Sequence, residues 1–155
     1  GIEEITKYLA ALATVLWRRE DDEPIDAVIY MVTVALGFAA AENALFLLNP
    51  VTSGTVIQAV VIDNFRFVGA TLLHVLSSSV VGMSLALSFY GSKIAKFYHA
   101  VLGVILAIIL HATFNFFIMN TPEQSVLHVF MFVWIGVIAL LAALEYIKRI
   151  HPRWN

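Results

Sequence analysis

The chain has 155 residues, of which 61% are apolar and 13% charged, against about 25% charged in an ordinary soluble domain. Nine Lys and Arg against eleven Asp and Glu give a net charge of −2; with no basic excess to hold phosphates, nucleic acid is excluded as a partner. A mean hydropathy of +0.88 excludes a soluble globular domain and a disordered chain, and leaves an all-α, polytopic membrane bundle of about five helices, one domain over 1–155. Cysteine is absent, so there is neither a disulfide frame nor a thiolate metal site.

Taken in chain order, the first span is predicted over Glu3 to Trp17, ending at Arg18-Arg19. It is short, and the chain opens at Gly1 as if inside a helix, so further sequence is expected upstream. Asp22-Glu23-Pro24 is a helix-start signal, with acids at the positive dipole end and Pro in the first turn. It opens a second span to Leu48 that Asn49-Pro50 is expected to end, with a turn at Thr52 to Gly54. Val56 to Asn64 reads as a semi-polar interfacial stretch. Further spans are predicted over Phe65 to Phe89, Phe97 to Met119 and Gln124 to Tyr146, each near the ~20 residues that cross a bilayer core. Arg18, Arg19, Lys93, Lys96, Lys148, Arg149 and Arg153 fall on one side of five alternating spans. That side, with the C-terminus, is expected to be cytoplasmic.

Polar residues inside these spans carry the functional signal. A mid-membrane carboxylate costs roughly 2.5–3.5 kcal/mol, so Glu3, Glu4 and Glu42 call for pairing, hydration or a metal. At ~1.5 Å per residue, Glu4, Glu42, His74 and His111 fall roughly 21 to 28 Å above the basic boundary, in one layer of the outer half. Lys7 lies one turn from Glu3 and Glu4 and can neutralise them in part. Arg66, eight residues before His74, is read in the same way. His111 and Asn115 are four apart and project together. Ser77, Ser78 and Ser79 are placed to hydrogen-bond across a helix interface. The phenylalanines are read as core or lipid-facing, and His99, His128 and His151, near span ends, receive no role.

This set suits hydrolysis by an activated water. Glu3 or Glu4 serves as general base, a His polarises the water or donates a proton, and Asn115 with a His stabilises the oxyanion. No Gly-x-Ser-x-Gly elbow is present, which argues against a serine mechanism. His74, His111 and Glu42 are also three candidate ligands from three helices for a zinc ion with an open position. Zn2+ and a metal-free glutamate mechanism both remain open here.

The residues resemble a known family. Glu3-Glu4-Ile5-Thr6-Lys7 is similar to the Glu-Glu-x-x-Lys motif of PrsW-type intramembrane proteases. Gly37 to Asn43, with Phe38 and Glu42 four apart, resembles their second motif. Arg66 to His74 and the box His111-Ala112-Thr113-Phe114-Asn115 resemble the third and fourth, and Asp22 to Asp26 fits the family's loop. CAAX prenyl endopeptidases and bacteriocin-immunity-type proteins belong to the wider superfamily, where the first motif usually ends in Arg and the second in His. Lys7 and Glu42 favour the PrsW branch. The resemblance implies a multi-pass protein of a prokaryotic plasma membrane that cuts a membrane-bound protein, such as an anti-sigma factor, on its extracytoplasmic side. Three alternatives are a non-catalytic immunity or binding protein of the same fold, a CAAX-type endopeptidase, and a proton or cation conduit. The conduit requires polar residues spread in depth rather than gathered in one layer.

Overall fold

The computed structural model describes residues 1–16, 18, 21–53, 64–120 and 126–150. Five helices make up the fold: α1 (Ile2–Thr14), α2 (Pro24–Ser53), α3 (Asn64–Leu87), α4 (Lys93–Asn120) and α5 (Val126–Ile147); no strand occurs among the described residues. Segments Pro24–Phe46, Phe67–Leu87 and Lys93–Phe117 are long and apolar enough to cross a membrane, and Met131–Ile147 forms a shorter apolar helix. At 13 residues, α1 is roughly 20 Å long and falls short of the bilayer core.

Helix ends follow the local chemistry. Pro24 opens α2, where a missing amide donor costs nothing, and Asp26 Oδ2 accepts from the backbone amides of Asp22 and Glu23 at 3.2 and 2.9 Å. Ser92 Oγ accepts from Ala95 N at 3.2 Å at the start of α4. A turn over Ser88 to Tyr90 and a bend at Gly91 separate α3 from α4. Asn49-Pro50, by contrast, does not end α2, which runs on through Thr52 to Ser53. Proline removes one hydrogen bond, and close to the end of a 30-residue helix that loss is tolerated. Of the interfacial stretch expected from Val56 to Asn64, residues 56–63 fall outside the described residues, and Asn64 is the first residue of α3.

Helix α3 is the hub, packed on α2, α4, α5 and α1. Small residues let it approach so closely. A Cβ built on Gly82 would lie 2.6 Å from Val28 Cα, and one on Gly103 would lie 2.9 Å from the Ser84 side chain and 3.1 Å from Val81 Cα. Gly82→Ala must therefore push α2 and α3 apart, and is expected to cost about 1–3 kcal/mol, read as a lowered Tm of the purified protein. Ser84 Oγ ties α3 to α4 by donating to the His99 carbonyl at 2.6 Å. One fully buried layer, Ala11, Met31, Val81 and Ala107, takes a residue from each of α1 to α4. An apolar cleft of about 870 Å³ between α3, α4 and α5 is lined by residues such as Leu73, Leu76, Phe114, Phe117, Val133 and Leu140, with none from the polar network described below.

At the basic end of the bundle, burial with the help of Asp26 pushes the Asp21 carboxyl up to about 6, with Lys96 opposing. Its Oδ1 has no hydrogen-bond partner among the described residues. A carboxyl whose pKa is raised on folding favours the folded state most when protonated. Its ionisation therefore removes stability as pH climbs from the unfolded value near 4 to about 6, with no further loss above. Asp21→Asn is expected to raise Tm at about pH 7.5, with the gain shrinking towards about pH 4, as thermal melts at the two pH values would show.

Candidate active site

Along α1, α3 and α4, the level one or two turns from the Ala11, Met31, Val81 and Ala107 layer is polar. Glu4 (1% exposed), Lys7 (0%), His74 (2%) and His111 (8%) are buried there together. Glu3 and Glu42 keep side-chain exposures of 42% and 41% and mark the mouth of the cluster.

Glu4 is the centre. Its Oε1 accepts from Lys7 Nζ at 2.5 Å, from His111 Nδ1 at 2.6 Å and from Ser77 Oγ at 3.1 Å. The i,i+3 spacing on α1 brings Lys7 onto Glu4, while Ser77 and His111 reach it from α3 and α4. Three donors on one carboxylate oxygen are what a buried anion needs to offset lost hydration.

His74 is fixed at both nitrogens: Nδ1 lies 3.1 Å from Lys7 Nζ, and Nε2 lies 2.6 Å from Glu42 Oε2. An ammonium only donates, so Nδ1 carries the lone pair and Nε2–H donates to Glu42. Glu42 thereby orients the ring from the side opposite the cluster. His111 Nδ1–H donates to the Glu4 carboxylate in turn, and its Nε2 lies 3.4 Å from Glu3 Oε2. The two imidazoles meet edge to face with centroids 5.2 Å apart. Phe38 packs on His74 at 5.4 Å and lies 5.5 Å from Lys7 Nζ.

Glu3, Glu4, Glu42, His74 and His111 thus come together. Asn115, one turn along α4 from His111, is exposed and makes no hydrogen bond to the cluster among the described residues. The Arg66 side chain falls outside the described residues. Asn43 Nδ2 donates to Thr71 Oγ1 at 3.3 Å, linking α2 to α3 beside the site. Phe38, which the sequence placed in the second motif four residues from Glu42 but gave no role at the site, packs on His74. The serines following His74 also divide: Ser77 reaches Glu4, whereas Ser79 bonds back to the Val75 carbonyl at 2.6 Å.

The donors suit a divalent cation. Glu3, Glu4, His74 and His111 each offer one ligand atom, all within 4.8 Å of one another. Among the described residues, Glu3 Oε2 and Glu4 Oε2 are buried without a hydrogen-bond partner, as expected of oxygens awaiting a cation. Glu42, expected from the sequence as a ligand, lies outside this group and holds Nε2 of His74 instead. On the other side, the apolar layer of Ala11, Met31, Val81 and Ala107 breaks the polar network. A conduit would need that network to continue.

Comparison with known proteins gives the same reading. Over 133 residues the chain is 25% identical to Protease PrsW of Clostridioides difficile (strain 630). The match covers 85% of this chain and 54% of that protein, so the chain spans about half the length of the curated relative it matches. No solved structure matches it. The family model described as PrsW family intramembrane metalloprotease matches residues 1–143. This helical, membrane-embedded chain therefore belongs to the PrsW family.

Proposed function

We propose that the chain is a single catalytic domain of an intramembrane endopeptidase that hydrolyses a peptide bond in a membrane-anchored protein, an anti-sigma factor being one such substrate. The observation that carries this reading is the division of labour between two adjacent carboxylates. Glu4 is buried and saturated at Oε1, whereas Glu3 is half-exposed with its Oε2 beside His111 Nε2 at 3.4 Å. Glu3 is the base that takes a proton from the attacking water, and Glu4 holds His111 in place to relay that proton towards the leaving amine. Asn115, exposed one turn away, receives the developing oxyanion of the substrate carbonyl. Lys7 and Glu42 fix His74 between them.

With a zinc ion bound, Glu4, His74 and His111 would hold it, His111 through the Nε2 that otherwise relays the proton, so that Glu3 alone would carry the proton from water to the leaving amine; Glu42 on the far nitrogen of His74 would supply the carboxylate–imidazole support usual at such sites. Bound there, the ion supplies Lewis-acid polarisation and an acidified water. The basic loops and the C-terminus face the cytoplasm in this reading, which opens the mouth at Glu3 and Glu42 towards the extracytoplasmic side.

The test uses purified protein in liposomes with single-span reporter proteins, followed by gel mobility and mass spectrometry. Wild type is expected to release two fragments and His111→Ala none, while far-UV circular dichroism stays helical. Cleavage by His111→Ala at the wild-type rate, or none by wild type on any reporter, overturns the reading.

A further inference from the structure

Lys7 is the feature that the hydrolytic reading leaves without a chemical part. It is fully buried (0% exposed), which for a lysine requires a compensating anion and a reason to keep it. Its ammonium sits 2.5 Å from Glu4 Oε1 and 3.1 Å from His74 Nδ1. Those residues are two of the candidate metal donors. The His74 Nδ1 lone pair is the only one that ring can offer to the cluster, because Nε2–H is committed to Glu42. A metal that takes His74 must therefore take the atom Lys7 already caps. The oxygens with no hydrogen-bond partner among the described residues, Glu3 Oε2 and Glu4 Oε2, lie on donors that Lys7 does not saturate.

We propose that Lys7 is a resident cation that competes with a divalent metal for Glu4 and His74. The inference rests on the metal-binding part of the proposed function. The two arrangements exchange one cation for another around the same anion. With Lys7 in place, Glu4 is neutralised and His74 is held in one tautomer without a metal; with metal in place, the lysine head must withdraw. Charge and shape both act here, since removing the ammonium frees a lone pair and also deletes a positive charge next to the incoming ion. Metal loading in this chain is then an equilibrium set by its own side chain as well as by the metal supply.

The experiment measures Co2+ and Zn2+ binding to purified full chain by calorimetry and by the cobalt absorption spectrum. Wild type, Lys7→Met, Lys7→Arg, His74→Ala and the Lys7→Met/His74→Ala double variant are compared. Lys7→Met is expected to bind at least tenfold more tightly than wild type, Lys7→Arg no more tightly, and the double variant no more tightly than His74→Ala. Unchanged or weaker binding by Lys7→Met overturns the proposal, as does a gain that survives in the double variant, since that gain would be charge removal without competition for His74. If Lys7→Met folds only with metal, recovery of helical, monodisperse protein by zinc supports the exchange. Failure of zinc to recover it, while Lys7→Arg folds, overturns it. Metal uptake by Lys7→Met alone supports it and assigns wild type to the metal-free form. Absence of metal from every variant overturns it, whereas the cleavage reading stands or falls on the reporter assay.

Discussion

Glu3→Gln is expected to lower the rate of reporter cleavage by about 10²–10⁴-fold, the range of general-base catalysis, and to shift stability by no more than about 0.5 kcal/mol. The two halves of that expectation have different sources. The first follows from the accessible carboxylate beside His111 Nε2. The second follows from the 42% exposure of the Glu3 side chain and from the amide being nearly isosteric with the acid. Rates from the liposome assay and Tm from a detergent melt would check both. A variant with wild-type rate moves the base to another residue.

Glu4→Gln inverts the pattern. The amide cannot carry the negative charge that Lys7, His111 and Ser77 converge on, and it leaves a fully buried ammonium without its counter-ion. Breaking a buried pair by removing one partner costs about 3–5 kcal/mol, a large share of the total stability of a small domain. Chemical denaturation in micelles should show that loss directly. Glu4→Gln/Lys7→Met, which removes both charges, is expected to recover part of it, because an apolar replacement for a buried ion pair costs less than half a pair. A single variant as stable as wild type would show that Lys7 finds another anion.

The helices were legible because apolar run length, basic boundaries and Pro or Gly breaks are local signals. They located both ends of α3, α4 and α5 to within four residues. Pro50 misled because its effect depends on how much helix remains to carry on, which a local rule does not weigh. The convergence of Glu4, His74 and His111 was legible for another reason: ionisable groups in a bilayer are expensive, and residues at one depth in adjacent helices have little choice but to meet. Rotation about each helix axis was not legible. It decides that Glu42 faces Nε2 of His74 rather than the cluster's centre, that Phe38 packs on His74, and that Asn115 stays exposed while His111, one turn away, is buried. Close contacts set that rotation, such as Gly82 on Val28, and they require two helices at once to be seen.

The layer of Ala11, Met31, Val81 and Ala107 does more than fill space. It gives the cluster a floor of carbon, so in the proposed reading solutes would reach Glu3 and Glu42 from one leaflet only. In sealed vesicles of uniform orientation, a chelator too polar to cross lipid would act from one compartment and be silent from the other. In the proposed reading, a cut made above that floor would sort its products by side: one fragment would leave on the side of Glu3 and Glu42, and the other would stay rooted in the membrane with its opposite end on the far side.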